Sequence, residues 1–423
     1  MSRIKEVRAR QLVDCKCRPM VEVDVITEDG RLGRGAAPTG SSVGKFEAKV
    51  LRDGDPGEYH GTGVRKAVSN VNDIIAPALV GVEVSDQEKI DKIMIDLDGT
   101  KYKENLGGNA IYSVSVAAFR AAAEEAGVPL YNYIKQGNIE SVPVPSFNVV
   151  NGGRYEELTQ PFNEFIIMPY GAESIEKACE MGIGVYGELD NVLTDYLGHK
   201  PAIAHAYGYQ APSEDPEVVL ELISKAIENC GYEGKVGFAF DCASSEMFDS
   251  ATGTYLLKGE RVNADELISY TRKLTEKFNF VFIEDLLDEE AWDDYPKAKK
   301  EITRTRIIGD DFTVTSPERI KRAYELDALD GFILKPNQIG TITEALEAYR
   351  YAVDRGWLAI TSGRAGGVIG DVVMDLAVGL EIGFIKNGAP KSGERIDKLN
   401  FLMRVADTNP GCTLADISDI LKF

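Results

Sequence analysis

Apolar positions change rhythm along this chain, and each rhythm predicts a different kind of element. From Ile4 to about Leu32 apolar and polar residues alternate, as in VEVDVITEDGRLGRG. There Val21, Val23 and Val25 share one face and Asp29-Gly30 marks a hairpin turn. An antiparallel opening is expected. After Arg52-Asp53-Gly54-Asp55 the pattern becomes helical, through VRKAVSNVNDIIAPAL, VSDQEKIDKIMIDLDG and NAIYSVSVAAFRAAAEEAG. Ser85 with Glu88 reads as a capping box, and Gly127 with Pro129 as a helix stop. Strands followed by helices predict a small α+β domain over residues 1–137. No chemistry-bearing cluster falls within it, so a capping and assembly role is expected. The small and hydroxyl residues from Pro38 to Gly44 read either as a surface turn or as a flap over a site.

From Val142 onward, apolar runs separated by helical patterns take over: VPVPSFNVVNGG, FIIMP, FAFD, VFIED, IIGDD, FILK, LAITSG and FIKNG. The run ends Glu284, Asp310, Lys335, Thr361 and Lys386 follow one another at intervals of 26, 25, 26 and 25 residues. That interval holds one strand, one helix and two loops, which is the mark of a βα barrel. Residues 138–423 are therefore expected to form an α/β, TIM-like barrel domain, preceded by the α+β capping domain. Strands joined through a helix are parallel, so acids and lysines at equivalent strand ends emerge on one rim, where barrel sites lie.

Composition fits this division. A chain of 423 residues exceeds the roughly 250–300 that one hydrophobic core serves, and 44% hydrophobic residues suffice for two. A net charge of -21 repels polyanions, which argues against nucleic-acid and anionic-membrane partners. MSRIKEVRAR has no apolar leader core, and no run approaches the ~20 apolar residues of a membrane span. A cytoplasmic protein is expected. His60, His199 and His205 lack metal-ligand spacing, and Cys15 with Cys17 is an isolated CxC, so any metal is expected on oxygen ligands.

Phe238-Ala239-Phe240-Asp241, Phe282-Ile283-Glu284 and Ile307-Ile308-Gly309-Asp310 present acids from three strand ends. Converging acids repel one another unless a cation joins them, and Mg2+ suits few protein ligands completed by water and substrate. Lys335 and Lys386 close later strands. A lysine beside a divalent cation and another lysine has its neutral form favoured, which makes it a base near neutral pH. A base facing a metal that grips a carboxylate points to removal of the proton α to that carboxylate. Ser362 to Gly370, SGRAGGVIG, adds closely spaced glycines and Arg364, a pattern suited to an anion.

These residues resemble the enolase family, and the resemblance covers essentially the whole chain: VEVDV, KAVSNVNDIIAPAL, LDGT, NGG, FDCASSE, IED, GDDFTVTSP, KPNQIGT, IKNGAP and ERIDKLN stand in the family's order. The resemblance implies Asp241, Glu284 and Asp310 as Mg2+ ligands, Lys335 as base and Lys386 as holder of the substrate carboxylate. It further implies Glu164, in NEFIIMP, as a carboxylate of the acid/base pair, Arg364 as the phosphate arginine, and Ser42 as ligand of a second, substrate-bridging Mg2+. A homodimer or higher oligomer is implied too, with Arg10 meeting Glu394 and Glu22 meeting Arg404 across its interface.

The chain departs from the family inside the site. HAYGYQAP replaces the family's GDEGG and places Tyr207 where a proton-transferring glutamate stands. Tyr155 replaces the flap histidine after NGG, Ser362-Gly363-Arg364-Ala365 replaces SHRS, and DCKCRPM replaces DSRGNPT. The expected activity is that of an Mg2+-dependent lyase that removes water from a 2-phosphoglycerate-like acid, with Tyr207 or another group as acid and with Tyr155, Ser362 and Gly363 at the substrate. Two alternatives stand beside it. One is the same enolisation on a bulkier phosphorylated or phosphonylated carboxylate, as in carboxyphosphonoenolpyruvate formation; the other is a non-catalytic enolase-like protein.

Overall fold

Strands β1 (Ile4–Val13), β2 (Pro19–Thr27) and β3 (Leu32–Ala36) form an antiparallel meander, as their alternation predicts. Gly30 turns the hairpin at φ 80°, a conformation that favours glycine. The computed structural model describes residues 2–40, 43–153 and 160–423, so Ser42 and Tyr155 lie outside the described residues.

The meander packs on helix α1 (Gly108–Ala126), which is buried along most of its length. Gly33 and Gly35 allow this, since a Cβ on either would collide with the backbone of Ala117 or Ser113. Gly127 ends the helix in the left-handed conformation, as expected. The expected capping box at Ser85 is replaced by a simple side-chain cap one residue on. Asp86, not Ser85, is the N-cap of helix Gln87–Asp98 and accepts the Lys89 N–H at 3.3 Å. Both residues are good caps, and a carboxylate suits the positive helix end better.

The second part is a closed barrel of eight strands: β4 (Val144–Gly153), β5 (Gln160–Met168), β6 (Gly237–Asp241), β7 (Phe280–Glu284), β8 (Arg306–Gly309), β9 (Gly331–Leu334), β10 (Leu358–Ser362) and β11 (Phe384–Lys386). Strand β11 pairs with β4 and closes the ring. One strand breaks the all-parallel expectation, because β5 runs antiparallel to both neighbours. Only six residues join β4 to β5, too few for the helical crossover that a parallel pair requires.

Val144, Ile166, Ala239, Phe282, Ile308, Ile333, Ile360 and Phe384, one residue from each barrel strand, belong to a single buried cluster. A second, larger cluster joins the strands to the surrounding helices. The N-terminal part docks on the barrel through a third, in which Tyr112 and Phe119 of α1 share a core with Ile342, Val372 and Leu376. Arg10 and Glu22, expected to reach across a subunit interface, bond to one another within the chain at 2.8 Å.

Candidate active site

Side chains along a strand alternate between faces with a period of two, so the residue two beyond an inward-facing one also faces inward, one level higher. Two places on from Ala239, Phe282, Ile308, Ile333, Ile360 and Phe384 stand Asp241, Glu284, Asp310, Lys335, Ser362 and Lys386. On β5 the same step is taken backwards because the strand is reversed, and it leads from Ile166 to Glu164, which lies beside Asp241 in the register. The charged rim is thus the layer directly above an apolar plug.

The rim is built of paired charges. Lys386 Nζ donates to Asp241 Oδ2 at 2.9 Å and to Glu284 Oε2, with Glu164 Oε2 3.8 Å away. Lys335 Nζ donates to Asp310 Oδ2, while Gln338 Nε2 holds Asp310 Oδ1 at 2.8 Å. Asn148 Nδ2 orients Glu164 Oε1 at 3.1 Å. Gln338 and Asn148 were not foreseen. Asn148 lies two places on from Ser146 along β4, so strand spacing would have offered it, whereas Gln338 sits in the short helix Pro336–Ile339 after Lys335, where strand spacing does not apply.

Burial and charge oppose one another at each group. Burial pushes the Glu284 carboxyl well above the usual range, and nearby Asp241 reinforces this. Burial acts the same way on Asp310, but Lys335 and Lys386 outweigh it and hold that carboxyl low. For Lys335, burial disfavours the ammonium, yet Asp310 and Glu284 win and hold its pKa above the ordinary lysine value. The expectation of a neutral lysine is therefore corrected. Its protein neighbours favour the charged form, and only added positive charge among the acids would lower it.

The acids offer two possible cation sets. Asp285, Asp310 and Asp311 bring carboxylate oxygens within 4.8 Å of one another. Asp285, however, already accepts the backbone N–H groups of Asp310 at 2.8 Å and Asp311 at 2.7 Å, and burial pushes its pKa up to about 8. Its bonds hold the end of β8. The other set, Asp241, Glu284 and Asp310, stands on the rim but does not bring three carboxylate oxygens within 4.8 Å of one another, because Lys386 bonds to the first two and Lys335 to the third; Glu284 Oε1 is buried with no hydrogen-bond partner. An orphaned carboxylate oxygen in an all-oxygen donor set fits a hard divalent cation.

A cavity of about 80 Å3 opens over this rim, lined among others by Glu164, Asp241, Lys335, Lys386, Ser362, Gly363 and Arg364. Those residues share one cavity, and Glu284 and Asp310 are not among its lining residues. Tyr207 is not among the lining residues. It adopts φ 68°, and its ring lies against the Arg395 guanidinium, 5.1 Å from centroid. The turn instead presents His205 and Ala206 to the cavity. A chain position matched by resemblance does not determine side-chain direction in a turn that has changed its residues.

The N-terminal part also contributes, contrary to the expectation that it lacks chemistry-bearing groups. Glu47 accepts two bonds from the buried Arg364 guanidinium, at 2.8 and 3.1 Å, and outweighs burial in holding that guanidinium charged. Asp14 accepts Thr39 Oγ1 at 2.5 Å and Arg18 Nε at 3.0 Å, and Thr39 pairs with Gly366 in the glycine-rich segment.

A barrel with lysines and acids interleaved on its rim, whose cavity arginine is held by Glu47 of the N-terminal part, has the arrangement of the enolase superfamily. Two family models match the chain: Enolase, N-terminal domain, over residues 4–134, and Enolase, C-terminal TIM barrel domain, over residues 139–412. The chain belongs to the enolase family. No helix among the described residues is long and apolar enough to cross a membrane.

Proposed function

We propose that this protein is an Mg2+-dependent lyase that removes the proton α to a carboxylate and expels a β-hydroxyl as water, from a 2-phosphoglycerate-like acid. The observation that supports it best is the rim itself. Lys335 and Lys386 lie among Asp241, Glu284 and Asp310, and Glu284 Oε1 is buried without a hydrogen-bond partner. Mg2+ held by these three acids would supply positive charge that stabilises the substrate carboxylate as electron density moves onto it.

Lys335 is the proposed base. Its neutral form, favoured once positive charge is added among the acids, would take the α-proton on Nζ as the C–H electron pair moves toward the carboxylate. Lys386 would bind one carboxylate oxygen and Arg364 the phosphoryl group, each held in position by its acid partners. Glu164, steadied by Asn148, would provide the proton with which the hydroxyl leaves. The electron pair returns from the carboxylate to form the carbon–carbon double bond, so one water leaves for each proton taken. Tyr207 is proposed to act through Arg395 as a positioning residue. Ser42 and Tyr155, the flap residues suggested by resemblance, remain with this proposal.

Exchange of the α-hydrogen reports the first step alone. With Mg2+ in deuterium oxide, 2-phosphoglycerate is expected to gain deuterium at Cα, and Lys335→Ala is expected to reduce that rate at least ~100-fold. Exchange that survives the substitution overturns the base assignment.

A further inference from the structure

Among the described residues, the cavity holds a cation that the proposed reaction leaves without a task. Lys398, on helix Gly393–Thr408, is only 4% exposed yet lines the cavity. The other cationic side chains there each have a carboxylate: Asp310 for Lys335, Asp241 and Glu284 for Lys386, Glu47 for Arg364, and Glu394 at 3.4 Å for Arg395. Lys398 makes no hydrogen bond or ion pair with any described residue. Burial pushes the Lys398 pKa below the ordinary lysine value, and the carboxylate that most opposes this is Asp371, whose own Oδ2 is buried without a hydrogen-bond partner.

Gly363 makes room for this ammonium. The glycine has no left-handed φ, so backbone conformation does not call for it. Space does: a Cβ there would collide with Lys398 Nζ and lie 3.5 Å from Asp371 Oδ2. A buried ammonium with no partner costs several kcal/mol, and an anionic group brought in by a ligand would remove that cost.

We propose that Lys398 binds a second carboxylate on the substrate, in addition to the one at Lys386 and the phosphoryl or phosphonyl group at Arg364. The substrate class is then a phosphorylated or phosphonylated dicarboxylic acid. This inference rests on the enolisation reading above for the placement of the first two groups.

Two non-reacting probes separate the ideas. Phosphonoacetate carries one carboxylate beside its phosphonate, and phosphonosuccinate is the same molecule with an added carboxymethyl arm. Calorimetric titration in saturating Mg2+ is expected to show phosphonosuccinate binding at least ~10-fold tighter, as a charge-assisted hydrogen bond would provide. In Lys398→Met the ratio should fall below ~3-fold. Gly363→Ala, which displaces the ammonium without removing it, should lower the ratio as well and carries the test if Lys398→Met does not fold. A ratio near one in the wild-type protein, with phosphonoacetate still bound, overturns this inference and leaves the enolisation reading standing. A ratio unchanged in the variants also overturns it. Failure of both probes to bind overturns both.

Discussion

Glu47, from the N-terminal part, and Arg364, from the loop after the seventh barrel strand, share a two-point ion pair that is almost wholly buried, with side chains 4% and 5% exposed. The guanidinium that would meet a phosphoryl group is thus aimed by a residue 317 positions away in the sequence. Removing one member of a buried pair leaves the other charge without compensation, at about 3–5 kcal/mol. Glu47→Ala is expected to destabilise the protein by that amount in urea unfolding. The double variant Glu47→Ala/Arg364→Met should recover part of the loss, and a silent Glu47→Ala would mean that the pair does not hold the two parts together.

Three acids around a buried, unpartnered carboxylate oxygen should respond to a divalent cation. A ligand that binds only the folded state stabilises it by about 2.7 kcal/mol at a concentration ~100 times its Kd. Titrating Mg2+ is expected to raise the melting temperature, chelation to reverse the rise, and Asp310→Asn to abolish it. A wild-type melting temperature indifferent to Mg2+ would count against the proposed set of ligands.

Gly366 lies where Asp14, Arg18 and Thr39 converge, and a Cβ there would collide with side chains of all three. Overpacking at a tight site costs roughly 1–3 kcal/mol. Gly366→Ala is expected to lower stability within that range and to raise KM, because the displaced segment adjoins Arg364. Equal KM values for variant and wild type would separate this contact from the site.

Asp375 provides a pH test away from the rim. Its side chain is 13% exposed and 3.6 Å from Arg120, and burial outweighs that guanidinium to push the pKa up from 3.8 to about 6. The folded state therefore holds this proton more tightly than the unfolded state. The group favours folding at low pH, and its contribution is lost as pH rises from about 4 to about 6. Asp375→Asn should raise stability at pH 8 by up to ~3 kcal/mol and change little at pH 4, as read by urea unfolding at each pH. An equal effect at both values would remove the titration as its cause.

The order of elements was legible in the chain because local rules set it. Period-two alternation marked the opening meander, and a repeat of 25 or 26 residues marked the barrel from Glu284 to Lys386. Asp241, Glu284, Asp310, Lys335 and Lys386 could be named as a rim because each ends an apolar run, and side-chain alternation carries it to the inside. Three things were decided only by tertiary structure, since each depends on distant segments meeting. The reversed β5 followed from a connection too short for a crossover, and it delivers Glu164 from the opposite direction. Electrostatic balance at Lys335 depends on which acids stand beside a buried amine, and those acids hold it charged. The contacts of Glu47 with Arg364 and of Lys398 with the space above Gly363 join residues that no periodicity relates, because burial and partner distance are properties of the packed protein.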